Sequence, residues 1–230
     1  MTFSLLGFDA NSQSVGICSI TSTPAHGSRC PHFLQDVGIV ATQGLTNRHH
    51  GENCITLLAN GVSPEECLRL TKADDINIEY RQLAIMTCKG QSAAHTGAET
   101  RDFKGHIITD HCIAVGNILT GEKVLHAMLD GFTSSNGDLA DRLLSGARSG
   151  EMAGGEINGA YSAFLIVIRP DQIPAWGAHI DLRIDYSPNV TDVLTDALAQ
   201  YRKWARDRLG NTKYTLDNSP PGAPLQPPAY

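Results

Sequence analysis

The sequence predicts a layered α+β fold in which antiparallel sheets pack against helices. Three observations predict it. Apolar strand segments are joined by short polar turns, which favours hairpins. Strands and helices follow one another in blocks instead of alternating singly, which is the order of segregated layers. The run Ala160 to Ile168 (AYSAFLIVI) is almost wholly apolar, as a strand covered on both faces must be.

Thr2 to Phe8 and Val15 to Thr21 are rich in apolar and β-branched residues. The turn-forming stretch Asp9 to Ser14 between them makes a hairpin. Thr23 to Leu34 carries two prolines, a glycine and two histidines and reads as loop, and Val37 to Gln43 reads as a third strand. Gly51 to Asn60 has Ile55, Leu58 and Ala59 at helical spacing and stops at Gly61. Ser63-Pro64-Glu65-Glu66 opens a second helix, with Ser as cap, Pro in the first turn and acids at the positive end of the dipole. Arg81 to Thr87 and Gln91 to His95 flank Cys88-Lys89-Gly90 as strand, turn and strand, and Ile107 to Gly116 adds one strand or two.

Two amphipathic helices come next. Val124, Leu125, Met128, Leu129 and Phe132 form one stripe; Leu139, Ala140, Leu143, Leu144 and Ala147 form the other. His179 to Asp185 alternates apolar and charged residues, the mark of a strand with one wet face. Val190 to Leu209 is the longest helix. Prolines at 220, 221, 224, 227 and 228 rule out regular structure in the tail, which is expected to lie extended on the body or across a dimer interface. The expected organisation is one domain over residues 1–210 followed by a proline-rich tail over 211–230, in a homodimer.

A chain of 230 residues that is 41% apolar and 18% charged can bury a core. No run reaches the ~18 apolar residues of a membrane helix. The net charge of -6 argues against a nucleic-acid partner, which calls for a basic face. No basic stretch precedes Asp9, so the expectation is a soluble cytoplasmic protein without a secretion signal. Its six cysteines are far apart and form no CxxC pair, so they read as free buried thiols.

Phosphate-loop, dinucleotide-binding, zinc-protease and serine-hydrolase motifs are missing. His106, Asp110 and His111 are the nearest approach to a metal set, but their spacing matches no closed ligand pattern, and no metal is assigned. Thr2 carries more weight. A small second residue permits removal of Met1, and the freed α-amine is then a base built into the same residue as the Thr hydroxyl. Its ordinary pKa, ~7.7–8.0, leaves a useful neutral fraction at cellular pH. An ordinary strand start is the plain alternative. Polar groups also gather at strand ends: Thr42-Gln43, Arg81-Gln82, His95-Thr96-Gly97, Gly116-Asn117 and Gly154-Gly155-Glu156. Strand ends are where folds build sites.

TFSLLGFD, GIVATQGLTN, YRQLAIM, AAHTGAE, the Gly116-Asn117 pair, DLADRLLSG, AGGE, YSAFLIVIR and IDLRID occur in that order. This series resembles the bacterial family called "domain of unknown function 1028", over about residues 2 to 205. That family is similar in fold to the N-terminal-nucleophile (Ntn) aminohydrolases, which implies a four-layer αββα sandwich of two antiparallel sheets between helices. The resemblance implies hydrolysis of a small amide or peptide-like bond, with no cofactor. Thr2 matches the family's leading Thr, and Gln43, Arg81, Gln82, His95, Thr96, Gly116 and Asn117 match its recurrent polar residues.

In that reading Thr2 is the nucleophile and Asn117, with backbone N–H groups, holds the oxyanion. Gln43, Gln82, His95 and Thr96 contact substrate, and Arg81 takes a substrate carboxylate through its planar fork. The chain also departs from the family. Thr21-Ser22 stands where members carry Ser-Lys, and Gly155-Glu156-Ile157-Asn158 stands where they read GGDxR. Loss of two cations favours an alternative, a small-molecule-binding or structural relative that no longer catalyses. A metal hydrolase using His and Asp side chains is a third reading.

Overall fold

The computed structural model describes residues 2–170 and 179–209, with side chains to residue 205. The proline-rich tail, and the dimer contact expected of it, lie outside the described residues.

Among the described residues, ten strands form two antiparallel sheets. They are β1 (Thr2–Asp9), β2 (Ser14–Thr21), β3 (Pro31–Leu34), β4 (Gly38–Gly44), β5 (Arg81–Thr87), β6 (Ser92–Thr96), β7 (Gly105–Ile108), β8 (Cys112–Asn117), β9 (Ser162–Ile168) and β10 (Ile180–Ile184). The larger sheet has the order β10-β9-β2-β1-β8-β7 and the smaller β3-β4-β5-β6. The predicted first hairpin therefore lies at the centre of the larger sheet, with Phe3 opposite Ile20 and Thr2 opposite Asn117 of β8.

Helices α1 (Arg48–Ala59) and α2 (Pro64–Asp74) cover the smaller sheet. Helices α3 (Lys123–Ser134), α4 (Leu139–Met152) and α5 (Val190–Leu209) cover the larger. The result is the four-layer αββα sandwich. The caps are local. Ser63 accepts from the Glu66 N–H, Asn47 caps α1, and Asp138 and Asp141 form a reciprocal capping box on α4.

Strand alternation deals the apolar residues into three layers. Phe3 and Leu5 face α3 and α4, with Leu125, Met128, Phe132 and Leu143. Leu6, Phe8, Ile17, Ile39, Met86, Ile113, Phe164 and Ile166 fill the space between the sheets. Val40, Leu83 and Ile85 face Cys54, Leu58 and Leu68 of α1 and α2. Gly7 and Gly16 sit opposite each other on the helix-facing side. A Cβ on either would come within 2.8 Å of Phe132 or 2.7 Å of Leu143, so their bare backbone is what lets α3 and α4 close on the sheet.

Residues 23–34 depart from the expected loop. Pro31–Leu34 pairs with β4 as an edge strand. Proline is tolerated there because the first residue of an edge strand need not donate to a ladder. All six cysteines are free and five are buried. Burial pushes the Cys18 and Cys30 thiols up to about 12, so these are packing groups without thiolate character. Among the described residues no helix is long and apolar enough to cross a membrane.

Candidate active site

The space between the sheets is apolar at one end and polar at the other. Along β1 the inward positions run Thr2, Ser4, Leu6, Phe8, and along β2 they run Thr21, Ser19, Ile17, Val15. At the polar end the smaller sheet contributes Gln43, Gln82 and Thr96, and β8 contributes Asn117. Buried polar side chains must find partners, and here they find each other.

Ser4 Oγ donates to Gln43 Oε1 at 2.7 Å, which ties the sheets together. Gln43 Nε2 and Asn117 Nδ2 both donate to Gln82 Oε1, at 2.9 and 2.7 Å. Gln82 Nε2 donates to the Gly116 carbonyl at 2.7 Å and to Thr96 Oγ1 at 3.1 Å. Ser19 Oγ lies 2.7 Å from Ser4 Oγ and 2.9 Å from His26 Nε2. Thr96 Oγ1 lies 2.9 Å from His106 Nδ1.

The network fixes its own proton directions. Ser4 spends its proton on Gln43, so Ser19 donates to Ser4 and His26 Nε2–H donates to Ser19. Thr96 accepts from Gln82 and is hydrogen-bonded to His106 Nδ1. The His26 tautomer is assigned from the bonding pattern. Donation thus runs from His26 through Ser19 and Ser4 to Gln43, and from Gln43 through Gln82 to Thr96, with both amide groups consumed inside it.

Both imidazoles are neutral here. Burial, aided by Arg29, brings His26 down to about 3; burial, aided by His95, lowers His106. An unfolded His26 binds its proton near 6.5, so between these values unfolding takes up a proton and stability is lost as pH falls. The thermal midpoint of wild type should fall steadily from pH 6 to pH 4, and more gently in His26→Gln. Equal slopes would remove His26 as the cause.

Thr2 is 4% exposed and its Oγ1 lies 3.2 Å from Thr21 Oγ1. The next residue, Ser22, directs its N–H at 2.8 Å to Oε2 of Glu156, a side chain of the loop between α4 and β9. Glu156 is 5% exposed, and its other oxygen, Oε1, is buried without a hydrogen-bond partner. Burial raises the Glu156 carboxyl, while the Ser22 bonds and the charge of the amino terminus pull it back. The loop is pinned to the end of β8: Leu119 bridges Glu156, and the Ile157 N–H donates to the Ile118 carbonyl at 3.0 Å. Ile118 itself has φ +54, a strained conformation for a β-branched residue, directly after Asn117.

Of the residues singled out in the sequence, Thr2, Gln43, Gln82, Thr96 and Asn117 come together at this polar end. Arg81 and His95 do not. Strand neighbours point to opposite faces, so if Gln82 and Thr96 face inward, Arg81 and His95 must face α1 and α2. Arg81 forms a buried ion pair with Asp75 and donates to the Leu45 carbonyl, and His50 Nε2 lies 2.6 Å from the same Asp75 carboxylate. Its guanidinium is committed there, which corrects its assignment as the anchor of a substrate carboxylate. Burial works to raise Asp75, but bonds from Arg81, His50 and the Asn77 N–H outweigh it and hold the carboxyl at about 2.

His95 Nε2 lies 3.3 Å from the Ile78 carbonyl. The ring lines a surface groove of about 470 Å³ between α2 and β6, away from Thr2. The metal reading finds no support either: His106 is engaged by Thr96, and among the described residues no set of three or more His, Cys, Asp or Glu is placed to hold an ion. Sequence reasoning missed Ser4, Ser19 and His26, and weighed His106 only as a metal ligand. The signal for the serines was present, since each sits beside a threonine in an inward row whose other half is apolar.

Fold and site together define a class: an αββα sandwich whose central strand opens on a threonine at the polar end of the inter-sheet space. The chain belongs to the family of unknown function DUF1028, whose model matches residues 2–194. It is similar to the crystal structure of protein SPO2555 from Silicibacter pomeroyi, of the same family, with 32% identity, 89% of this chain and 93% of that chain covered, and a TM-score of 0.81. It has a far weaker likeness to Anbu, the ancestral beta-subunit, from Yersinia bercovieri: 10% identity over 93% of this chain and 100% of that one, with a TM-score of 0.44. At that level nothing about activity transfers. No curated protein matches.

Proposed function

We propose that this protein hydrolyses a small amide or peptide-like bond, with Thr2 as nucleophile after Met1 is removed. One observation carries the reading. The first residue of the central strand is a threonine whose hydroxyl faces the polar end of the inter-sheet space, among hydrogen-bonding side chains. The Thr2 hydroxyl attacks the carbonyl carbon and its α-amine accepts the hydroxyl proton, directly or through one water. That proton passes to the leaving amine, and water then cleaves the Thr2 ester. Asn117, opposite Thr2 in the strand register, is the candidate side chain for the oxyanion. With Arg81 engaged elsewhere, the reading favours neutral or cationic substrates over acidic ones. Six free thiols fit a reducing, cytoplasmic setting.

The test is intact mass followed by trapping. Native protein should lack Met1, and an electrophilic β-lactone should add one acyl group to Thr2, located by peptide mapping. Retained Met1, or acylation that persists in Thr2→Ala, rejects the mechanism. The second reading, a binding relative without catalysis, draws on one observation: Thr2 is only 4% exposed. Saturable small-molecule binding with no acylation would select it.

A further inference from the structure

The carboxylate of Glu156 is a charged group at this end that the reaction above does not use. Ser22 follows Thr21, and Thr21 stands beside Thr2, so the Ser22 N–H belongs to the rung just beyond the start of β1. Glu156 Oε2 occupies that rung by accepting the Ser22 N–H, while Oε1 is buried with no partner. A buried carboxylate oxygen without a partner carries a desolvation cost that a cation beside it would offset. Removal of Met1 creates such a cation. A methionine aminopeptidase spends one water on the Met1–Thr2 peptide bond, releasing methionine and leaving the Thr2 nitrogen as a free ammonium group at the head of β1.

We infer that Glu156 is the positioning residue for the mature amino terminus, with its free oxygen holding the Thr2 α-amine beside the Thr2 hydroxyl. This rests on the reading of Thr2 as a processed nucleophile. The strained Ile118 corner supports it, because it pins the loop that carries Glu156 to the strand end that carries Asn117. His26 is neutral above about pH 3 and adds no charge. Glu151, in the last turn of α4 behind Gly155, is the same in wild type and variants and cancels in a comparison.

The experiment uses full-length protein labelled with 15N-threonine. Intact mass first establishes whether Met1 is gone, and the 15N resonance of the terminal Thr2 amine is then titrated. With Glu156 in place the amine pKa should lie above that of Glu156→Gln by about one unit, the size of a close opposite charge. A role confined to packing would leave it unmoved. Equal values in wild type and Glu156→Gln overturn the inference while leaving the Thr2 mechanism standing. Retained Met1 in native protein overturns both. Should Glu156→Gln fail to fold, Glu156→Asp sets the charge back by one methylene and must still lower the amine pKa, by less; an unchanged value there also overturns it.

Discussion

Thr2→Ala is expected to abolish amide hydrolysis, a loss of ~10⁴-fold or more in kcat. The hydroxyl is the group that would form the acyl intermediate, and the nearest other hydroxyl, on Thr21, carries no α-amine to act as its base. Thr2→Ser keeps hydroxyl and amine and should retain activity within ~100-fold of wild type. A bulky residue at position 2 that blocks Met1 removal should be as inactive as Thr2→Ala while melting like wild type, because the amine then sits one residue too far away. The assay is turnover of the first amide that wild type cleaves in a screen of small amides and dipeptides. Full turnover by protein shown by mass to retain Met1 would end the proposal.

Gln82→Ala should cost about 4 kcal/mol of stability. Gln82 accepts from both Gln43 and Asn117 and donates to Gly116 and Thr96, so its removal takes a bond from three buried groups and from half-buried Thr96, which keeps His106. One unsatisfied buried group costs ~1–3 kcal/mol, and partial relaxation keeps the sum below simple addition. Gln82→Met fills the same volume without restoring the bonds and should recover little. Urea denaturation of both variants separates the contributions: near-complete recovery in Gln82→Met would show that the loss is a cavity and not a broken network. A gentler effect belongs to the ion cluster at Arg81. The folded Asp75 carboxyl stays ionised down to about 2 while an unfolded one protonates near 3.8, so its stabilisation is intact above that value and disappears as pH falls toward 2.

Much of this was legible in the chain. The hairpin at the amino terminus, the Ser63 cap, the Gly90 turn and the apolar run ending in Ile168 are local signals, and each element appears within a residue or two of where its pattern puts it. Position along a strand was legible too: Gln43, Gln82, Thr96 and Asn117 all close or open a strand, and all four gather at one end.

Which face each side chain takes was not. Arg81 and Gln82 look alike as polar residues at the start of β5, yet a single step along a strand sends one to a buried ion pair with Asp75 and the other to the inter-sheet network. That choice depends on register across two sheets, and no window of local sequence contains it. Glu156 is the clearer case. It lies 154 residues from Thr2, in a loop with no periodicity, and reaches the strand end only because α4 and the strained Ile118 corner deliver it there. The sequence by itself determined most of the elements, the layered α+β class and the threonine that heads the first hairpin, because these follow from propensity and periodicity. The tertiary structure alone decided which polar groups meet that threonine, because contacts between distant segments are set by packing.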